Sequence, residues 1–300
     1  MRPVTKPLPP CATVDELLAA APSRKPDPLT LLRMQLQATI GYYCSFCEVP
    51  INVTQAVVSK LVRQLQRVPA LERWSELLLA CDFCQAHRMR DVTNLSDYLW
   101  PDTDVTFSLG STSPFLYALK DVTYIVKSDA ADGVPADSST KALVIVTANP
   151  LSPAYAKATR TIDLFRLNTP FYDAATNTFT ITRNQLQARI DPRVELRTRA
   201  WKGAAEAIAA LRQMKSLTAY PAAFDSSVKV TAALAQASGF WSGWMTSLWQ
   251  VFADEALVRR TLLEVSKRVG YQVIGFQTLP DGGTPPWTLF TGTALDRVTF

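Results

Sequence analysis

The chain has 300 residues, 48% hydrophobic and 19% charged, a composition that can bury a sizeable core and excludes a largely disordered protein. The net charge of +5 is compatible with a phosphate-bearing partner but does not identify one. No stretch has the length and apolar character of a membrane span or a signal peptide, so we expect a cytoplasmic protein without a membrane partner.

The N-terminal half is predicted to begin with an extended arm, because residues 1–28 hold seven of the 20 prolines. Apolar residues from Leu29 to Tyr43 recur at helical spacing and predict a helix. We interpret the segment VSKLVRQLQRV, which begins at Val58, as a second helix. Residues 91–109 have the composition of a loop.

The second half opens with a predicted β-hairpin, in which VTYIVK and ALVIVTA flank a polar stretch. A helix is predicted over residues 157–167 and a turn over 168–177. Two further helices are expected at VELRTRAWKGAAEAIAALRQM and DEALVRRTLLEVSKRVG, before a loop-like tail with a possible final strand. The fold class is therefore α+β, with a metal-clamped module at 29–110 and an α/β to mainly helical region at 111–300, a possible partner-binding part.

Four of the five cysteines form two C-x-x-C pairs, Cys44-Ser-Phe-Cys47 and Cys81-Asp-Phe-Cys84. In a reducing compartment such pairs are more typical of metal ligands than of disulfides. Two pairs complete the tetrahedral ligand set of a structural Zn²⁺. A redox pair is disfavoured because the pairs are doubled and no strand–helix pattern follows the first. A zinc site is found in enzymes and binding modules alike, so it does not reveal the function.

The residues around the two pairs resemble the HNH endonuclease family. The pattern is C-x-x-C-E, then a segment ending in lysine, then W-x-x-L-L-x-x-C-x-x-C with a basic residue four positions on. More narrowly it is similar to the zinc-stapled HNH proteins that accompany an ATPase in Septu-type and retron-linked anti-phage defence. The matching residues are Cys44, Cys47, Glu48, Lys60, Trp74, Leu77, Cys81, Cys84 and Arg88.

This resemblance covers about residues 40–210 and is strongest at the cysteines. It implies a ββα-metal module that carries the Cys₄ zinc, a second and catalytic Mg²⁺ or Mn²⁺, DNA as substrate and an ATPase as partner. Assembly into an oligomer within such a complex is also possible. The sequence contains no P-loop, so any ATP hydrolysis would belong to the partner.

Several positions depart from the family pattern, and the most important is Ala56, which stands where the resemblance implies the catalytic histidine. That histidine deprotonates the attacking water, which alanine cannot do. A natural pseudo-nuclease, a shifted alignment or a deliberate histidine-to-alanine exchange would each explain the difference. We favour the exchange, because Val57, Val58 and Lys60 keep the family pattern and alanine is the residue an experimenter would choose. The other departures are Gln55, Ser59, Glu76 and Gln85.

The candidate catalytic pocket by resemblance consists of position 56, Gln55, Gln85 and His87, with Glu76 as a further neighbour. The two glutamines offer neutral oxygen ligands, which Mg²⁺ or Mn²⁺ accepts but binds weakly. His87 is the only histidine of the chain. It either faces the metal pocket or lies exposed beside the neighbouring arginines.

Basic residues near the cysteine pairs are candidates for phosphate contacts: Lys60, Arg63, Arg67, Arg88 and Arg90. An ordinary solvated helix face is the alternative. A weaker second candidate surface contains Arg193, Arg197 and Arg199. The cluster of Trp241, Trp244 and Trp249 is interpreted as core rather than as a partner-binding face.

The sequence thus leads to a metal-dependent HNH-type DNA endonuclease subunit in which Ala56 leaves nucleic acid bound but uncut. The competing hypothesis is a non-catalytic zinc-containing adaptor that binds a partner through its helical C-terminal half. A third, weaker hypothesis is a zinc-dependent transcription factor, for which no recognition helix is evident.

Overall fold

The computed structural model describes residues 1, 36–37, 41–51, 57–60, 77–88, 94–108, 111–127, 137–168, 172–182, 191–216 and 221–252. The strands are β1 Val57–Lys60, β2 Leu77–Ala80, β3 Phe115–Lys127, β4 Asp137–Ala148, β5 Tyr172–Asp173 and β6 Thr178–Thr182. The helices are α1 Asp82–Arg88, α2 Tyr155–Phe165, α3 Arg193–Ser216, α4 Pro221–Ser238 and α5 Trp241–Phe252, with a 3₁₀ turn at Leu95–Asp97. This is the α+β class with a helical C-terminal part that the sequence predicts.

The first two strands form a separate antiparallel pair that leads directly into α1. Val57 lies opposite Ala80, and Lys60 lies opposite Leu77. The helix predicted from Val58 is therefore wrong over Val58–Lys60, because pairing with β2 outweighs the helical spacing of the basic residues. Arg63 and Arg67 lie outside the described residues.

The helix predicted from Leu29 ends earlier than expected. Leu36 and Gln37 are helical, and the Gly41 amide donates a hydrogen bond of 2.9 Å to the Gln37 carbonyl. Gly41 has φ +85°, a conformation that commonly ends helices. Tyr43 already pairs with Pro50 in an isolated bridge, so the last predicted turn does not form.

The main sheet has four strands in the order β4-β3-β6-β5. The predicted hairpin is confirmed, since β3 and β4 pair antiparallel from Phe115 opposite Ala148 to Val126 opposite Asp137. Its connecting loop falls outside the described residues. Strand β6 pairs parallel to β3 and was not predicted, because the sequence pattern after α2 indicates only a turn and then helices.

The outer edge of β4 is covered by side chains instead of another strand. Thr198 Oγ1 accepts a hydrogen bond of 2.8 Å from the Val144 amide, and Arg197 donates to the Val144 carbonyl at 2.8 and 3.0 Å. The Asn168 amide group bonds both the N–H and the carbonyl of Val146, at 2.9 and 2.7 Å. Filling these positions protects an edge that would otherwise be open to pairing with another chain.

The helical part packs around the aromatic residues of α5. Trp241 and Trp244 are 0% and 2% exposed, and Phe107 meets Trp241 edge-on at 4.8 Å between ring centroids. The interpretation of these two tryptophans as core is confirmed. The helix predicted within residues 254–270 and the tail lie outside the described residues. Of the described helices, none is both long enough and apolar enough to cross a bilayer.

One core cluster surrounds the cysteines and continues into the rest of the fold. It contains Phe46 and Leu79 from the N-terminal part, together with Val144, Phe165 and Ala200 from later elements. The part around the cysteines therefore shares its core with the main sheet and with α2 and α3. The division at residue 110 stays a prediction.

Candidate metal centre

The four cysteine sulfurs of the two C-x-x-C pairs come together in one buried cluster. All four sulfurs lie within 4.8 Å of one another, and all four cysteines are unpaired by disulfides. The Cys47 and Cys81 sulfurs are 3.7 Å apart. Zinc–sulfur bonds of about 2.3 Å in a tetrahedron separate the sulfurs by about 3.8 Å. The residues therefore fit a structural Zn²⁺ in both number and spacing.

The first pair sits in a tight reversal of the chain. The Cys44 amide donates to the Val49 carbonyl and the Glu48 amide to the Cys44 carbonyl, both at 2.9 Å. Glu48 adopts φ +65°, which reverses the backbone after the pair, where the Val49 carbonyl meets the Cys44 amide. The Ser45 amide bonds the Leu79 carbonyl at 2.9 Å and joins this turn to β2.

The second pair lies where β2 ends and α1 begins. The Gln85 amide donates to the Cys81 carbonyl at 3.0 Å, which forms the first turn of the helix. The Cys84 amide lies 3.5 Å from the Cys81 sulfur, so the same turn directs a backbone N–H at a ligand atom. A strand followed by a helix turn thus brings Cys81 and Cys84 to one point.

Burial disfavours the charged form of these thiols when no cation is present. Burial raises the pKa of Cys47 and Cys84 well above the ordinary value, whereas at Cys44 the hydrogen bonds from the neighbouring thiols outweigh burial and lower the pKa. Bound Zn²⁺ supplies the positive charge that keeps the thiolates deprotonated, so its binding releases protons and adds to folding stability.

An aromatic cluster packs against the turn that carries the first cysteine pair. The Phe46 ring, between the two cysteines, stacks on Phe165 with centroids 4.1 Å apart and contacts Trp100 edge-on at 6.2 Å. The Trp100 indole N–H donates to the Leu95 carbonyl at 2.8 Å, which fixes its orientation. The shape of this turn therefore depends on residues from α2 and from the 94–108 segment.

Arg193, the first residue of α3, contacts the cysteine cluster through its guanidinium group. Its Nη1 lies 3.1 Å from the Cys84 sulfur, and the side chain is fully buried. Burial lowers the pKa of the guanidinium, but the Cys84 thiolate and the Asp191 carboxylate outweigh that effect and raise it. Arg193 is therefore a permanent cation beside a ligand sulfur.

The second phosphate surface predicted from the arginines of α3 is wrong for two of its members. Arg193 and Arg197 are 0% and 3% exposed and bond protein groups. Only Arg199 is exposed. Charge spacing along the chain does not reveal which face of a helix is covered. The Asp191-Pro192 pair, a typical helix start, indicates that Arg193 lies in a first turn but not that this turn is buried.

Glu48 follows the first pair and connects it to α5. Its carboxylate accepts hydrogen bonds from the Ser242 amide at 2.8 Å and the Ser242 hydroxyl at 2.6 Å. Because Ser242 lies in the first turn of α5, the negative charge also meets the positive end of the helix dipole. The Phe240 amide bonds the Glu48 carbonyl at 3.1 Å, so the junction is held by both backbone and side chain.

The predicted catalytic pocket is only partly within the described residues. Gln55 and Ala56 fall outside them, whereas Gln85 and His87 lie on α1, both half-buried. Gln85 Oε1 is buried and accepts no hydrogen bond from the described residues. His87 is therefore not fully exposed, as it would be if it simply lay in solvent beside the neighbouring arginines. Whether it faces a metal pocket stays a prediction.

The predicted nucleic-acid-binding residues cannot be assembled into a surface from the described side chains. Lys60 ends β1 and Arg88 ends α1, but only their backbone is described. Arg63 and Arg90 lie outside the described residues. Their role stays a prediction.

The cysteine cluster stands apart from other candidate sites. Within the described part of the chain, it is the one group of three or more His, Cys, Asp or Glu side chains with donor atoms close enough to share a metal. In comparisons with known proteins, no family model, no curated protein and no solved structure matches this chain.

Proposed function

We propose that this protein carries an HNH-type nuclease scaffold that binds DNA and, with alanine at position 56, leaves it intact. The observation that carries the proposal is the order of elements around the zinc ligands. An antiparallel pair, β1 and β2, leads at once into α1, with Cys81 and Cys84 at the strand–helix junction. This order of elements supports the ββα arrangement that the family resemblance implies.

The zinc in this proposal is structural, held by Cys44, Cys47, Cys81 and Cys84. Four thiolates leave no open position for water or substrate, which distinguishes such a site from a catalytic zinc. Its part in the function is to fix the end of β2 and the start of α1, on which Gln85 and His87 lie.

The second cation of the family, Mg²⁺ or Mn²⁺, fits the available donors poorly. Gln85 Oε1 is a buried oxygen with no hydrogen bond from the described residues, and Gln55 would add another neutral oxygen. Both metals prefer sites that include carboxylates. We therefore assign no reaction step to a second cation in this chain.

Position 56 decides whether water can be activated. It directly precedes β1. The first residue of β1, Val57, lies opposite Ala80, which is the last residue of β2 and the one before Cys81. An imidazole there would accept the proton of a water that attacks a phosphodiester, a contribution typically of about 10² to 10⁴ in rate. The methyl group of Ala56 has no lone pair and cannot take a proton.

The test is Ala56→His, assayed by nicking of supercoiled plasmid with Mg²⁺ or Mn²⁺. We expect nicking by the histidine variant and none by the original chain. Ala56→Gln is the matched control, because an amide of similar size does not accept a proton near neutral pH. If the histidine variant folds with its zinc and stays inert, alone and with an ATPase partner, the nuclease proposal fails.

The adaptor remains the second candidate function, favoured by the absence of a base at position 56 and by the neutral Gln55 and Gln85. In this version the zinc module is a scaffold, and the helical C-terminal half binds the partner. By resemblance, either function would operate with an ATPase in anti-phage defence. An inert Ala56→His variant that still co-purifies with such an ATPase would favour the adaptor.

A further inference from the structure

We propose that Arg193 is a positioning residue of the zinc centre, holding the Cys84 sulfur in its ligand orientation through a charged N–H···S hydrogen bond. The bond joins Nη1 to the Cys84 sulfur at 3.1 Å. It spans 109 residues of sequence and links the first residue of α3 to α1. The proposal depends on the zinc site and not on any nuclease activity.

The orientation of the guanidinium is fixed by its other edge. Asp191 accepts from Nε at 2.9 and 2.8 Å and also from Nη2, a side-on carboxylate pair. Such pairing is geometrically specific, because the planar group must align with both carboxylate oxygens. With Nε and Nη2 engaged by Asp191, Nη1 is left to point at Cys84.

Two backbone carbonyls at the end of α2 complete the set. Nη1 also donates to the Phe165 carbonyl at 2.9 Å, and Nη2 donates to the Arg166 carbonyl at 3.0 Å. Carbonyls at the end of a helix lack an intrahelical amide partner, and Arg193 donates to these two. The guanidinium cannot turn away from Cys84 without breaking these bonds.

The charges make the same contact favourable. Zn²⁺ with four thiolates carries two net negative charges in a buried place, where a nearby cation is worth more than at the surface. A hydrogen bond from a cation withdraws electron density from the sulfur. The Cys84 thiolate should then be a poorer nucleophile towards alkylating agents and should hold zinc longer. Partners outside the first ligand shell commonly change metal affinity by about 10- to 100-fold.

The experiment replaces zinc by Co²⁺, whose sulfur-to-metal charge-transfer band reports on the ligand electrons. Arg193→Gln should move this band to lower energy and speed up zinc release by N-ethylmaleimide about tenfold or more. Arg197→Gln is the matched control. Arg197 is a buried cation of the next helix turn, with a pKa lowered to about 10 by burial, and bonds the Val144 and Leu167 carbonyls.

An unchanged band and release rate in a folded Arg193→Gln protein that binds one Co²⁺ would overturn the proposal. An equal shift in Arg197→Gln would also overturn it, since it would mark general loosening. If Arg193→Gln does not fold, the proposal is tested on the unaltered protein by comparing how fast N-ethylmaleimide modifies its cysteines. Cys44 and Cys84 are 1% and 0% exposed, so slower N-ethylmaleimide modification at Cys84 supports the proposal, and equal or faster modification contradicts it.

Discussion

Gly239 lies where the first cysteine turn meets the start of α5, and its missing side chain allows the contact. Its φ is +70°, and a Cβ there would sit 2.7 Å from the Glu48 carbonyl oxygen and 2.8 Å from Pro50 Cδ. We expect Gly239→Ala to lower the free energy of unfolding by about 2 kcal/mol or more, from backbone strain plus the clash. Denaturant unfolding of the zinc-loaded protein measures this.

Gly203 provides the control for that substitution. It lies inside α3, and a Cβ there would meet nothing within 4 Å. Gly203→Ala should therefore raise the free energy of unfolding by about 0.5–1 kcal/mol, because alanine favours helix. Similar losses in both variants would show that the close approach at Gly239 is not what matters.

Single residues of the metal centre differed in how far the sequence predicted them. The cysteines were predictable because ligand spacing within a turn is a local property. The role of Arg193 was not, because its partner Cys84 is 109 residues away in sequence and only the tertiary fold brings the two together. Glu48 was matched to a motif, but its bonds to Ser242 depend on the position of α5, which no local pattern gives.

At the scale of elements, the cysteine cluster of the candidate zinc centre connects several helices and is not a self-contained module. Cys84 on α1 contacts Arg193 at the start of α3, and Glu48 beside Cys47 accepts the bonds of Ser242 at the start of α5. Both α3 and α5 thus begin next to a zinc-ligand turn. Loss of the metal should weaken these helix starts as well as the turns themselves.

Hydrogen exchange tests this prediction. Removal of zinc by a chelator should increase amide exchange in 41–51 and 77–88, and also in the first turns of α3 and α5. The middle of α4, which packs on α3 away from the cysteines, should change least. Elemental analysis should give one zinc per chain beforehand, and added Zn²⁺ should restore protection. Changes confined to the two cysteine segments would mean that the zinc stabilises only its own module.

The elements that the sequence predicted well are those defined by local contacts. The β3–β4 hairpin and helices α2 and α3 follow from alternation and helical spacing within one continuous segment. Strands β1, β2 and β6 were missed because each is short and is defined by a distant partner. The two-residue strand β5 and the helices α4 and α5 also lie in segments for which no such element was predicted. The pairing of Val57–Lys60 with β2 outweighed a local pattern that favoured helix, and β6 pairs with β3 across α2.

At the scale of the whole molecule, the helices and the sheet are joined through the same buried centre. The core cluster that contains the cysteines also includes residues of β3, β4, α2 and α3. A partner that binds the helical half would thus act on elements that contact the zinc ligands directly. This arrangement suits either proposed function, because both require the zinc module and the helical half to be held together.

A net charge of +5 attracts DNA even without a local binding surface, so the test of the proposed DNA binding must separate the two effects. If Lys60, Arg63, Arg88 and Arg90 contact phosphates, changing all four to serine should weaken binding to duplex DNA strongly. It should also reduce the slope of log affinity against log salt by about 0.9 for each phosphate that is no longer neutralised. Fluorescence anisotropy with a labelled duplex at several salt concentrations measures both the affinity and the salt slope.

A second set of four substitutions separates the local effect from the general one. Lys120, Lys202, Arg212 and Lys229 are exposed and lie on the main sheet and on α3 and α4. Changing these four to serine lowers the net charge equally, so the long-range attraction to DNA falls by the same amount in both variants. Only the first set should also remove the direct phosphate interactions that set the salt slope. Equal weakening of DNA affinity in the two variants would mean that binding depends on the overall charge. The proposal of a nucleic-acid surface near β1 and α1 would then be wrong.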